Sequence, residues 1–211
     1  MYSFCGGFVD IQKLAFIFSW LFNFTYLILF FFQIIYVFKK KSVEGISSLM
    51  FIFLFGAYLT FAYQTFLFNL PISYKILIPI LLLEMLILLI QFFMFDQTRK
   101  KFFMNFFLSV GLINFALLPL VFYLPGLVGT ITGWFTILFG ALAQIPQILK
   151  IYKDKSSDGL SNHFMHILGV ASVLEFITSM ALDLPLFLKI NGARVLVVYL
   201  IFYTTFRYFK K

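Results

Sequence analysis

Two carboxyl groups, Glu84 and Glu175, lie deep inside apolar stretches of this chain. An ionisable side chain at mid-membrane costs about 2.5–3.5 kcal/mol on insertion scales, so it marks a functional site by default. Two chemistries are open to such a carboxyl: carrying a proton coupled to a solute, or gluing helices by hydrogen bonds. Glu84 is seven residues from Leu77 and seven from Gln91, close to two helical turns each way, so the three share a face. Glu175 shares a face with Ser172, Thr178 and Ser179. Trp20 and Trp134 stand with Asn23, Tyr26, Thr132 and Thr136 on compatible faces. Aromatic platforms beside amide and hydroxyl groups suit stacking against a small polar solute; interfacial anchoring is the other use of a membrane tryptophan. His163 and His166 lack further ligands, so no metal is expected, and no cofactor is implied. No nucleophile is clustered with a base and no glycine loop cradles phosphate, so the chain does not read as an enzyme.

These residues sit in a sequence that is 63% hydrophobic and only 11% charged, with a mean hydropathy of +1.02. A soluble domain of this size leaves about 30% of its unfolded surface exposed, and could not hide so much apolar area. A polytopic membrane protein has no need to. The single cysteine, Cys5, excludes an internal disulfide and a cysteine-based metal cluster. The net charge of +8 does not point to nucleic acid, because the basic residues fall in short loops between apolar spans. A span needs about 20 mostly apolar residues. Polar punctuation divides the chain into seven, near 12–37, 47–68, 72–95, 102–123, 126–150, 162–182 and 187–208.

One stretch occurs twice. Gln33 to Ser47 reads QIIYVFKKKSVEGIS and Gln147 to Ser161 reads QILKIYKDKSSDGLS, an offset of 114 (147 − 33). Trp20 and Trp134 keep that offset, as do Leu70-Pro71 and Leu184-Pro185. Internal repeats decide a fold before other signals do. Spans one to three thus match spans five to seven, giving a first triple-helix repeat over 12–95, a linker over 102–123 and a second repeat over 126–208. The fold class is all-α polytopic membrane protein, arranged 3+1+3. An odd linker makes the two bundles enter the membrane in the same direction, the parallel-repeat plan.

Charge sets the expected orientation. Lys39, Lys40, Lys41, Arg99, Lys100, Lys101, Lys150, Lys153, Lys155, Arg207, Lys210 and Lys211 fall on one side; Lys13, Lys75, Lys189 and Arg194 fall on the other. The positive-inside rule then puts the C-terminus in the cytoplasm and the N-terminus outside, in a plasma or inner membrane. Nothing at the N-terminus reads as a cleavable signal. Within each repeated motif Gly45 and Gly159 allow a tight turn, and Ser47 and Ser161 stand where a serine caps the next helix. Pro146 removes a backbone hydrogen bond inside span five, so Pro146 and Gln147 form either a hinge for an inner gate or a packing kink. Gln33 and Gln147, at matching depth, can bond across the pseudo-twofold axis or to freed carbonyls.

The run Gln144-Ile-Pro146-Gln147-Ile-Leu, followed by Lys155-Ser156-Ser-Asp158-Gly159-Leu-Ser161, resembles the PQ-loop motif. That superfamily includes SWEET and SemiSWEET sugar transporters, cystinosin-like amino-acid exporters and the KDEL receptors. The first copy, from Lys41-Ser42 to Met50-Phe51, is similar to the SemiSWEET repeat. The resemblance implies an alternating-access carrier of a small polar solute, with a SWEET-like sugar carrier first. A proton-coupled amino-acid or vitamin-like carrier using Glu84 or Glu175 comes second. A KDEL-receptor-like binding protein, which wants more inward arginines than Arg194, comes third. It implies a binding site around Asn191, Trp20, Asn23, Trp134, Glu84 and Glu175, and hinges at Pro146, Gln147 and Gln33. The implied partners are the solute, protons in the coupled version, the lipid bilayer and, as an open assembly state, further copies of the chain. The sequence departs from the pattern in places: Phe32 stands where the first proline would be, and Leu77 faces the Asn191 slot. Thr60 and Leu174 fall near the tryptophan slots.

Overall fold

The computed structural model describes residues 6–43, 46–96, 100–157, 162–182 and 184–210. Seven α-helices account for nearly all of them: α1 (Gly6–Lys40), α2 (Ser48–Leu67), α3 (Ile72–Phe95), α4 (Lys100–Tyr123), α5 (Pro125–Asp154), α6 (Asn162–Ala181) and α7 (Leu186–Tyr208). All seven contain a window long and apolar enough to cross a bilayer. The helices that open the two halves outrun their expected spans. α1 has 35 residues and α5 has 30, about 52 and 45 Å at 1.5 Å per residue, so both project past a hydrocarbon core of about 30 Å. Pro125 starts α5, where a missing N–H costs nothing. No breaker stops either helix before its lysines.

The duplication is visible in the backbone as well as the letters. α1 and α5 are each followed by a left-handed lysine, Lys41 at φ 49 and Lys155 at φ 47, again 114 apart (155 − 41). The turn therefore begins at these lysines; Gly45, Gly159 and Ser161 lie outside the described residues. Pro71 and Pro185 open α3 and α7 with nearly the same angles, φ −49 and −52, ψ 150 and 148. In both, the proline carbonyl accepts the N–H three residues on, Tyr74 and Leu188, at 2.9 Å. Ser47 occupies the N-cap of α2 but its hydroxyl makes no capping bond. Its backbone N–H instead donates to Gln147 Oε1 at 2.8 Å.

Packing closes six helices into a ring. α3 lies between α1 and α2, α7 lies between α5 and α6, and the halves meet along two seams, α2 on α5 and α1 on α6. Exchanging α1 with α5, α2 with α6 and α3 with α7 maps this ring onto itself, as a parallel duplication requires. α4 stands outside it, lying against α3 and α5 and tied to α2 by the Tyr63 hydroxyl, which donates to Asn114 Oδ1 at 2.7 Å, with none of its apolar window buried. Large side chains such as Phe38, Phe66, Phe115 and Leu149 face outward, which in lipid carries no penalty. Close approach between helices uses small residues: a Cβ at Gly192 would lie 1.9 Å from Ser179 Oγ, so α6 and α7 meet there only because glycine lacks one.

Candidate functional site

Along α1, Asn23 and Tyr26 are three residues apart and turn toward the ring's centre. Ser172 and Glu175 do the same on α6, and Asn191 and Arg194 on α7. On α5 the residues Thr136, Gly140 and Gln144 repeat at intervals of four and line the same space, as the helical period demands. Together with Tyr58, Phe30, Phe61 and Tyr199 they enclose a cavity of about 80 Å³ between the two halves. That is room for a few waters, so the cavity is narrow.

Its polar wall is one continuous chain of hydrogen bonds. Tyr26 Oη donates to Glu175 Oε2 at 2.9 Å, crossing from the first half to the second. Asn191 Nδ2 donates to Glu175 Oε1 at 2.9 Å. Arg194 donates to Asn191 Oδ1 from Nε at 3.2 Å and from Nη2 at 3.0 Å. A carboxylate and a guanidinium thus share a low-dielectric wall, joined through one amide, and partnering of this kind is what a buried charge requires. Asn23, fully buried, donates to the Ser19 carbonyl at 2.7 Å, which fixes its amide. Its Oδ1, and Oε1 of Gln144, have no hydrogen-bond partner among the described residues.

Both ends of the α2–α5 seam are tied by side chains. At the end bearing the lysine loops, Gln147 accepts from Ser47 N–H, and Lys150 Nζ donates to the Ile46 carbonyl at 3.2 Å. At the opposite end the hydroxyls of Thr60 and Thr136 are 2.8 Å apart. There Gln64 Nε2 reaches the Thr136 hydroxyl and, at 3.2 Å, the Thr132 carbonyl.

Of the residues singled out in the sequence, Asn23, Glu175 and Asn191 line the cavity. Trp20 is part-buried and Trp134 is 53% exposed on the outer surface; neither touches it. Glu84 is buried on α3 outside the cavity, with Oε2 lacking a partner among the described residues. Gln91, on the same face, ties α3 to the Ile34 carbonyl of α1 at 3.1 Å. Pro146 sits within continuous α5 and lines a separate open cleft at the lysine-rich end. Gln33 is buried, its Nε2 without a partner among the described residues. The cavity residues outside the sequence-derived site include Tyr26, Tyr58, Gln144, Arg194 and Tyr199. Arg194 had been counted with the loop charges, but it lies inside α7. Its spacing of three from Asn191 was the available signal, since such pairs share a helix face.

Comparison with known proteins agrees with this architecture. No curated protein matches the sequence. A solved eukaryotic SWEET transporter superposes with a TM-score of 0.67 at 14% identity, over 96% of this chain and 98% of that one. At that identity the likeness is one of fold. The family described as "PQ loop repeat" matches residues 14–74 and 128–188, two segments displaced by 114 (128 − 14), the offset of the internal repeat. With seven spanning helices and both repeat copies matched, the chain belongs to the PQ-loop repeat family of multi-pass membrane transporters.

Proposed function

We propose that the protein is an alternating-access carrier of a small polar solute, bound at mid-membrane between the halves 12–95 and 126–208, with 102–123 as linker. The observation that carries the reading is the narrow cavity between the two halves, apolar but for one hydrogen-bonded polar wall, with further ties toward each end of the α2–α5 seam. Ligand sites of drug-sized solutes run to about 300–1,000 Å³, so this cavity must widen to load. Widening means breaking one set of ties at a time. The lysine-rich end faces the cytoplasm in this proposal, by the charge asymmetry of the loops.

The resemblance to SWEET proteins favours a sugar or a solute of that size. A second reading, a charged solute of amino-acid size, is favoured by a specific feature. The wall of the cavity is built of Glu175, Asn191 and Arg194 rather than of paired asparagines and tryptophans. The proposed solute-binding residues are Asn23, Tyr26, Glu175, Asn191 and Arg194. Reconstitution in liposomes followed by counterflow of labelled solutes tests the carrier reading. Exchange that disappears in Asn191→Leu, the residue its twin position carries, supports it; the absence of exchange for every solute tried sinks it.

A further inference from the structure

An arginine presents five N–H donors in a planar fork. Asn191 Oδ1 takes two of those of Arg194, and no other acceptor among the described residues bonds the group. Three N–H bonds of a cation therefore remain unpaired in the wall of a membrane-buried cavity. Glu175 does not fill them: its described bonds are to Tyr26 and Asn191, and the Asn191 amide stands between acid and base. The guanidinium lies against the α5 backbone, in the room that Gly140 leaves by lacking a side chain. A Cβ at Gly140 would lie 2.6 Å from Nη2 and 2.9 Å from Nη1, so any larger residue there would displace the guanidinium. The same cavity holds two buried acceptors that want donors, Asn23 Oδ1 and Gln144 Oε1.

We infer that the Arg194 guanidinium is a carboxylate-binding fork, and that the carried solute is a small carboxylic acid with a hydroxyl or amine beside the carboxylate. The inference rests on the carrier reading and specifies its solute class. Unpaired, pre-aligned N–H groups in low dielectric favour a planar oxyanion that accepts two parallel hydrogen bonds, the geometry in which arginine exceeds lysine. A neutral sugar offers no anion to this fork. The donor next to the carboxylate would satisfy Asn23 or Gln144, which flank the Arg194 level on α1 and α5.

The full-length protein in detergent is heated with L-lactate, L-alanine, glucose or inorganic phosphate, and the same four are run in liposome counterflow. Lactate or alanine is expected to raise Tm and to exchange, with glucose and phosphate inert. Arg194→Lys, which keeps the charge and loses the fork, is expected to weaken both effects at least tenfold. Gly140→Ala, which keeps the arginine in the chain but pushes its guanidinium out of position, does the same and covers an Arg194 variant that fails to fold. Exchange of glucose or phosphate, with lactate and alanine neither exchanging nor stabilising, overturns the carboxylate fork while the carrier reading stands. Without exchange of any solute the carrier reading falls. The fork then stands only if lactate or alanine still raises Tm in the wild type and not in Gly140→Ala.

Discussion

The α2–α5 and α1–α6 seams occupy equivalent places in the ring, yet the duplication has filled them with different chemistry. Across α2–α5, Thr60, Gln64, Thr132 and Thr136 form a hydrogen-bonded patch. Their partners 114 residues away are Leu174, Thr178, Phe18 and Phe22, and the equivalent patch of α1–α6 is apolar but for Thr178. The one side-chain bond described across α1–α6 is Tyr26 to Glu175, at the level of the cavity, where the first seam's twin positions hold Gly140 and Phe61. One seam is pinned at both ends and empty of charge in its middle. Among the described residues the other is pinned by a side-chain bond in the middle, at the group proposed to meet the solute. In the proposed carrier, solute arriving beside Glu175 would act on the α1–α6 seam directly, while the α2–α5 seam would respond through its end ties. In a bundle where packing cannot draw on the hydrophobic effect, such bonds decide which contacts give way first.

Removing the acid from the middle of the α1–α6 seam should have the largest effect. Glu175→Ala leaves the Arg194 charge without a counter-charge and strips Tyr26 and Asn191 of an acceptor. Breaking a buried ionic arrangement from one side costs about 3–5 kcal/mol, to be measured by unfolding in detergent, and solute exchange should vanish with it. A loss smaller than that for the next variant would reverse the ranking of the two seams.

Gln64→Leu attacks the other seam. It removes bonds to the Thr60 and Thr132 carbonyls and to the Thr136 hydroxyl. Interhelical side-chain bonds in membranes average about 0.6 kcal/mol, and Gln64 Oε1 is already without a partner among the described residues. The expected destabilisation is about 1–2 kcal/mol, with exchange faster toward the side where that tie has been cut. Tyr26→Phe should cost less, about 0.6–1.7 kcal/mol, because Glu175 keeps Asn191. Its effect should appear in exchange rate more than in Tm, and an unchanged rate would show that the α1–α6 seam does not move in the cycle.

What could be read in the letters follows from what a duplication copies. Backbone devices were copied whole: the left-handed lysines, the proline starts of α3 and α7, the order of helices in the ring. The lysines and prolines stand at the offset of 114 in the letters, while the left-handed turns and the ring order came with the backbone. Side-chain function was not copied. Asn191 and Arg194 match Leu77 and Ile80, and Tyr26 matches Gly140, so reasoning by symmetry could locate the gaps but not the groups that answer them across the ring. Glu175, Asn191 and Asn23 were findable because polar residues in apolar spans stand out. Arg194 was obscured because an arginine near the start of a span also reads as a flanking charge. Trp20 and Trp134 misled for the opposite reason: they hold the repeat register faithfully, and the register says nothing about which face of a helix turns inward.

The same chemical change made in both seams gives the finest test. Thr178 is fully buried in α6, and its hydroxyl has no partner among the described residues. Thr136, in α5, is buried too, but its hydroxyl serves Thr60 and Gln64. Valine matches threonine in shape and lacks only the hydroxyl. An orphaned buried hydroxyl costs desolvation with no return, whereas removing a shared one leaves two partners unmet. Thr178→Val should therefore raise stability by up to about 1 kcal/mol, and Thr136→Val should lower it by about 1–2 kcal/mol. Paired unfolding curves in detergent read the two signs. Opposite signs mean that the seams differ in chemistry and not only in sequence; equal losses would mean that Thr178 has found a partner, and that the α1–α6 seam is tied at its far end as well.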